Sequence, residues 1–123
     1  MIDFDSWRAR SPFYSETHEA LAQSVRRFVE REIAPNIDQW EVDGELPRDL
    51  HRKAAEAGIL GLRYPEAYGG HSDGFDIFHG MTQTEELSAV GAGGLDASLM
   101  THGIGLPPIL ALGTEAMKQR VAV

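Results

Sequence analysis

The residues of this chain best suited to chemistry are the adjacent pair Glu85 and Glu86, five histidines, and the glycines Gly91, Gly93 and Gly94. On a helix that points Phe78 and Met81 or Thr82 inward, Glu85 falls on the same face. A carboxylate buried there could act as a base with a raised pKa. No second catalytic group stands beside it in the sequence, so a structural carboxylate held by an arginine or by backbone N–H groups is favoured. Among the histidines, His18, His51, His71, His79 and His102, none forms H-E-x-x-H and none is spaced from a carboxylate as in a zinc site. Only His102 lies on an apolar stripe, where a core or interface histidine is expected. The sequence therefore points to no metal site. A dinucleotide loop would need glycine where Asp96 stands, with a strand before it, so Gly91–Gly94 reads as a helix–helix joint. Gly113–Lys118 lacks the second glycine and hydroxyl of a phosphate loop, and no G-x-S-x-G elbow occurs. No catalytic residue is assigned.

The elements that carry these residues read as helices separated by glycine and proline. Ser15 is a good N-cap. Beyond it, Leu21, Val25, Phe28, Val29 and Ile33 form one apolar stripe. Glu16 and Glu19 at the start and Arg26, Arg27 and Arg31 further on suit the helix dipole, and Pro35 ends the helix. A short helix around Ile37 and Trp40 stops before Gly44. Pro47 opens another at its first position, with Leu50, Ala54 and Ala57 on its buried face and Gly58 ending it. Residues 59–70 read as an ordered loop. Asp73 or Asp76 caps a helix over 77–90, anchored by Phe78, Met81 and Leu87. The last full helix runs from Gly93 toward Leu112, kinked or shortened by Pro107 and Pro108. It carries Leu95, Leu99, His102, Leu106 and Ile109 on one face and the small Gly94, Ala97, Thr101 and Gly105 on another. Thr114 caps a final helix. The expected fold is all-α, an orthogonal or antiparallel helical bundle in one domain over 1–123, with 1–12 an extended segment.

The composition narrows the function class. A length of 123 residues with 42% hydrophobic content supports one domain with a real core. A net charge of −8 repels phosphate backbones and anionic lipid, so nucleic acid and membrane surfaces are poor partners. There is no cysteine, which rules out disulfides and fits a reducing, cytoplasmic setting. The N-terminus has no apolar signal-peptide core, and the apolar run 104–112 is too short to span a membrane.

The order of several segments resembles the N-terminal domain of acyl-CoA dehydrogenases. FVEREIAP, LPRDLHRKAAEAGILGLRYPEAYGG, TEELSAV and MTHGIGLPPILALGTEAMKQR follow that family's order and spacing from Phe13 onward. Met117 before the lysine and HSDG after the glycine pair depart from its usual pattern. The resemblance implies an FAD enzyme for α,β-dehydrogenation of an acyl-CoA thioester. In it a glutamate takes the α proton, flavin takes the β hydrogen, and an electron-transferring flavoprotein takes the electrons, usually in a homo-oligomer. It further implies that the catalytic glutamate and most flavin contacts lie beyond Val123, so that this stretch alone is expected to be an inactive fragment that does not hold FAD. Asp96, Ala97, Met100 and Gly103 are the expected acyl-pocket residues. A same-fold flavin monooxygenase or acyl-CoA oxidase and a free-standing helical interaction module are the competing readings.

Overall fold

The computed structural model describes residues 3–122, and their regular structure is helical. α1 (Phe4–Arg10) replaces the extended segment expected at the N-terminus. Its sequence supplies the reason: Asp3 caps it by accepting the Ser6 N–H at 3.0 Å, and Arg8 and Arg10 sit in its last turn. α2 (Glu16–Phe28) begins at Ser15 and widens into a five-residue π-helical turn, Val29–Ile33. The Ala34 N–H reaches back to the Val29 carbonyl at 2.8 Å, which ends the helix ahead of Pro35.

α3 (Ile37–Asp43) stops at Gly44 in the left-handed region, as expected. In α4 (Arg48–Glu56), Pro47 is the cap rather than the first helical residue. Gly58 follows α4 at φ 77° and frees the Ile59 N–H to close on the Ala54 carbonyl at 2.9 Å. The stretch after it is a loop, containing a single 3₁₀ turn, Glu66–Tyr68, and one isolated bridge between Leu62 and His71. Then come α5 (Ile77–Ser88), α6 (Gly93–Leu99), α7 (His102–Leu112) and α8 (Glu115–Ala122).

The core gathers the α2 stripe, α4, Ile59, Leu87 and the α6 residues Leu95 and Leu99. Val25, Phe28, Val29 and Ile33 are buried, whereas Leu21 and Trp40 only rest against this cluster, half-buried. Trp40 sits on α3, a two-turn helix at the rim, and is therefore only half-buried.

Two helices invert the usual amphipathic logic. The buried face of α5 is mostly polar: His79, Thr82, Gln83 and Glu86 lie inside with Leu87, while Met81 is exposed rather than an anchor. α7 is apolar all round yet has no buried residue, and Ile104 is 82% exposed.

Within the bundle α2 and α5 run side by side in the same direction. Thr17 and His18 meet His79 and Asp76 at one end, and Arg26 meets Glu86 at the other. Both N-termini are closed by capping boxes in which a histidine occupies the place of the usual Glu or Gln, Ser15 with His18 and Asp76 with His79.

Glu86, 5% exposed, ties three helices together. Arg26 grips it with two hydrogen bonds of 2.9 and 2.7 Å, and Arg8 of α1 adds a third at 2.9 Å. Arg26 also holds Asp5, at 2.7 Å. The hydrogen bond to Glu86, then that to Asp5, raise the Arg26 pKa above its ordinary value. Glu85 is the outer member of the pair: its side chain is 19% exposed and accepts one bond from Arg8, at 2.7 Å. The structural role expected of Glu85 thus falls mainly on its neighbour. Removing one side of a buried ion pair costs about 3–5 kcal/mol. Glu86→Gln should therefore destabilise by a few kcal/mol (about 3) in urea unfolding, and Glu85→Gln by well under half of that. Equal losses would show that Arg8 and Arg26 do not single out Glu86.

Candidate functional site

The loop after α4 must hold its shape without regular structure, and three features make it do so. Leu62 and His71 bridge across it, with the Arg63 N–H on the His71 carbonyl at 2.7 Å. Gly70 is packed so closely that a Cβ there would stand 2.3 Å from the Tyr64 carbonyl oxygen. Glu66 collects the N–H groups of Ser72 and Asp73 at 2.7 and 2.8 Å and the Ser72 hydroxyl at 2.8 Å. These bonds, the Asp73 N–H foremost, lower the Glu66 pKa to about 2. Arg63 pays a local cost at the loop's apex, with φ at 69°, a conformation that L residues other than glycine rarely hold.

This loop forms one bank of a groove of about 480 Å³, and α5 forms the other, with the α6–α7 joint at its end. Met81 and Thr84 line the α5 bank, Leu60 and Tyr64 the loop bank, and Met100 and His102 the joint. The polar groups are oriented by the backbone around them. His102 donates from Nε2 to the Leu60 carbonyl at 2.9 Å. Gln83 donates to the Ile59 carbonyl at 3.0 Å and touches the Met100 sulfur at 3.9 Å. Burial pushes the Tyr64 phenol pKa up, which keeps it a protonated donor at neutral pH. The lining is mainly apolar, with Arg63 and Glu85 as its charged members, and it suits a hydrocarbon chain.

The four residues expected at an acyl pocket separate here. Met100 lines the groove, and Gly103 lies beside its wall, where a Cβ would stand 3.9 Å from the Tyr64 hydroxyl. Asp96 instead accepts the Ser88 hydroxyl at 2.6 Å and ties α6 to the end of α5. Ala97 is exposed, and its carbonyl accepts the Thr101 hydroxyl. That bond also explains why the expected single helix from Gly93 is broken at Met100–Thr101 rather than at its prolines. The Thr101 side chain takes the carbonyl that its own N–H would need, a known cause of helix bending. Pro107 and Pro108 lie within α7.

The described residues contain no dinucleotide-phosphate loop. The glycine turn Gly91–Gly94 joins two helices, no strand leads into it, and Ala92 caps α6 without a side-chain bond. Glu85 and Glu86 are both occupied by arginine, and neither lies free to act as a base. Of the histidines judged by sequence spacing, His18 and His79 do converge on a carboxylate, that of Asp76. No sequence signal short of the tertiary pairing of α2 with α5 could have found this.

The family described as "Acyl-CoA dehydrogenase, N-terminal domain" matches residues 15–122. A 3-(aryl)acrylate reductase of Clostridium sporogenes is 34% identical over 88% of this chain and 28% of its own length. A crystal structure of a probable acyl-CoA dehydrogenase from Mycobacterium abscessus is 48% identical, with TM-score 0.78, over 86% of this chain and 28% of that one. One from Mycobacterium smegmatis, a putative acyl-CoA dehydrogenase, is 42% identical with TM-score 0.82, over 91% and 29%. The chain thus spans between a quarter and a third of the length of these relatives.

Two outcomes test the loop that shapes the groove. Gly70→Ala forces a Cβ onto backbone and should cost about 1–3 kcal/mol in thermal or urea unfolding; a neutral result would mean that the Tyr64–Gly70 contact relaxes freely. Glu66 has a depressed pKa, so its contribution is present above the ordinary value of 4.5 and is lost as pH falls toward about 2. Hydrogen-exchange protection factors of the Ser72 and Asp73 amides should fall across that window. In Glu66→Gln they should be low at neutral pH and show no such fall.

Proposed function

The chain belongs to the acyl-CoA dehydrogenase family, through its N-terminal domain, and on that premise we propose that the polypeptide carrying it is an FAD-dependent acyl-CoA dehydrogenase in which this domain shapes the acyl-chain pocket. The observation that carries the reading is the apolar groove between α5, the ordered loop and the α6–α7 joint, with Met100 at its end and Gly103 beside it. A hydrocarbon chain laid there loses its hydration, at roughly 25 cal/mol per Å² of apolar surface buried. The bulk at Met100 then limits how far the chain can reach. Asp96 serves the same wall at one remove, by anchoring α6 to Ser88.

This domain's own residues bind and orient; they do not carry the redox step. In this reading the flavin and the proton-abstracting carboxylate are supplied by the parts of the family fold that account for the relatives' greater length. The electrons pass to an electron-transferring flavoprotein, and the enzyme works as a cytoplasmic homo-oligomer. No helix among the described residues is long and apolar enough to cross a membrane, and the exposed apolar side chains of α7, Ile104 and Leu112, suit burial against another domain or subunit.

The experiment compares substrates of different length in the flavin-loaded enzyme. Met100→Trp should lower kcat/KM for long-chain acyl-CoA by about tenfold or more while leaving a four-carbon substrate nearly unchanged. A uniform loss across chain lengths would remove Met100 from the pocket. An enzyme that oxidises no acyl-CoA at all would remove the proposed activity.

A further inference from the structure

One charge on the wall of the groove has its partner outside the groove. Glu85 lines the groove and also a cavity beside α1 that Phe4, Asp5 and Arg26 line. Its side chain therefore stands at the partition between the two. Among the described residues its carboxylate has a single hydrogen-bond partner, Arg8, whose Nη1 donates to Oε2 at 2.7 Å. Arg26, the other guanidinium of this cluster, is occupied by Glu86 and Asp5. Arg63, the groove's other charged member, makes no ion pair with Glu85 among the described residues.

α1 is held in place by this kind of contact. Arg8 is its one buried residue, whereas its largest side chain, Trp7, is 69% exposed. Charge rather than apolar burial fastens the helix. The Arg8 guanidinium reaches Glu85, Glu86 and Asp5, with Glu19 at 3.7 Å from Nε. Arg8 and Arg26 thus face the carboxylates of Asp5, Glu19, Glu85 and Glu86. Without Arg8 the cations are outnumbered further, and Arg26 still serves Glu86. The uncompensated charge then falls on Glu85, at the groove wall. Hydrocarbon cannot solvate a carboxylate, so a chain laid against bare Glu85 would strip its water and give nothing back.

We propose that Arg8 is a positioning residue for the acyl groove: from α1 it supplies the counter-charge that lets Glu85 stand beside a hydrocarbon chain. The inference rests on the acyl-CoA reading above. It makes the N-terminal helix part of the substrate site although no residue of α1 lines the groove.

The test is steady-state kinetics of the flavin-loaded enzyme with an eight-carbon acyl-CoA. Arg8→Gln should raise KM by about fivefold or more while kcat changes by less than about twofold, the pattern of lost binding. Adding Glu85→Gln removes the stranded charge, so the double variant should bring KM back to within about twofold of the unmodified enzyme. Its melting temperature should stay low, because Glu86 still lacks the bond from Arg8. Two variants that keep Arg8 carry the test if Arg8→Gln folds poorly. Glu85→Asp retains the charge but draws it back from Arg8 and should raise KM, whereas Glu85→Gln should lower it. A KM that stays high in the double variant would leave Arg8 a structural residue and overturn the proposal. So would an unmoved KM in Arg8→Gln, or equal KM values in Glu85→Asp and Glu85→Gln. Unmodified enzyme that oxidises no acyl-CoA would instead remove the acyl-CoA reading, and this inference with it.

Discussion

An ionised carboxylate survives in a protein interior only when opposite charge and hydrogen bonds replace the water it has lost, and Glu86 imposes that condition on the whole first half of this chain. It is met by Arg26 from the neighbouring helix and by Arg8 from a seven-residue N-terminal helix. A helix as short as α1 has little stability of its own. Its position follows from the need to bring Arg8, itself 4% exposed, onto Glu86 and Glu85. The same ion pairs set the register of α2 against α5, because sliding either helix by one turn would leave a buried charge unpaired.

That register places two helix N-termini side by side, where the partial positive ends of the two dipoles oppose each other. Asp76 answers this locally. Its pKa is lowered, first by the hydrogen bond from His18 and also by the N–H and ring of His79, so it is held in the anionic form that two adjacent N-termini favour. The parallel pair is thus fastened electrostatically at both ends, by Glu86 among arginines and by Asp76 between histidines. The apolar core lies alongside, where α4, α6 and the π-helical turn pack.

The groove depends on the same framework at one remove. α5 is its fixed bank, and the loop opposite has few helical bonds to rely on, so it is built from close backbone contact at Gly70 and a carboxylate knot at Glu66. The joint at Met100–Thr101 turns what would be one helix into two and aims Met100 and His102 at the groove. A continuous helix would have carried its four expected pocket residues as one stripe; with the break, Met100 and Gly103 stand at the groove, Asp96 is bound to Ser88 and Ala97 is exposed.

What the sequence determined by itself is what depends on near neighbours. Caps at Ser15, Asp76 and Thr114, stops at Pro35, Gly44 and Gly58, and the α2 stripe were all legible, because each rests on bonds within a few residues or on helical spacing. So was the family, carried by the order of its motifs. What only the tertiary structure decided is what depends on charge and burial across the chain. Hydrophobic periodicity places Met81 inside and gives Glu85 the leading role, but α5 buries polar side chains, of which His79 and Glu86 are satisfied by partners some 60 to 80 residues away. α7 leaves Ile104 and Leu112 largely exposed, a matter of what packs on it rather than of its own spacing. The break at Thr101 hangs on one hydroxyl choosing a carbonyl. The meeting of His18 with Asp76 and His79 exists only because two helices run in parallel, and direction of packing is a property of the assembled charges rather than of any local stretch of sequence.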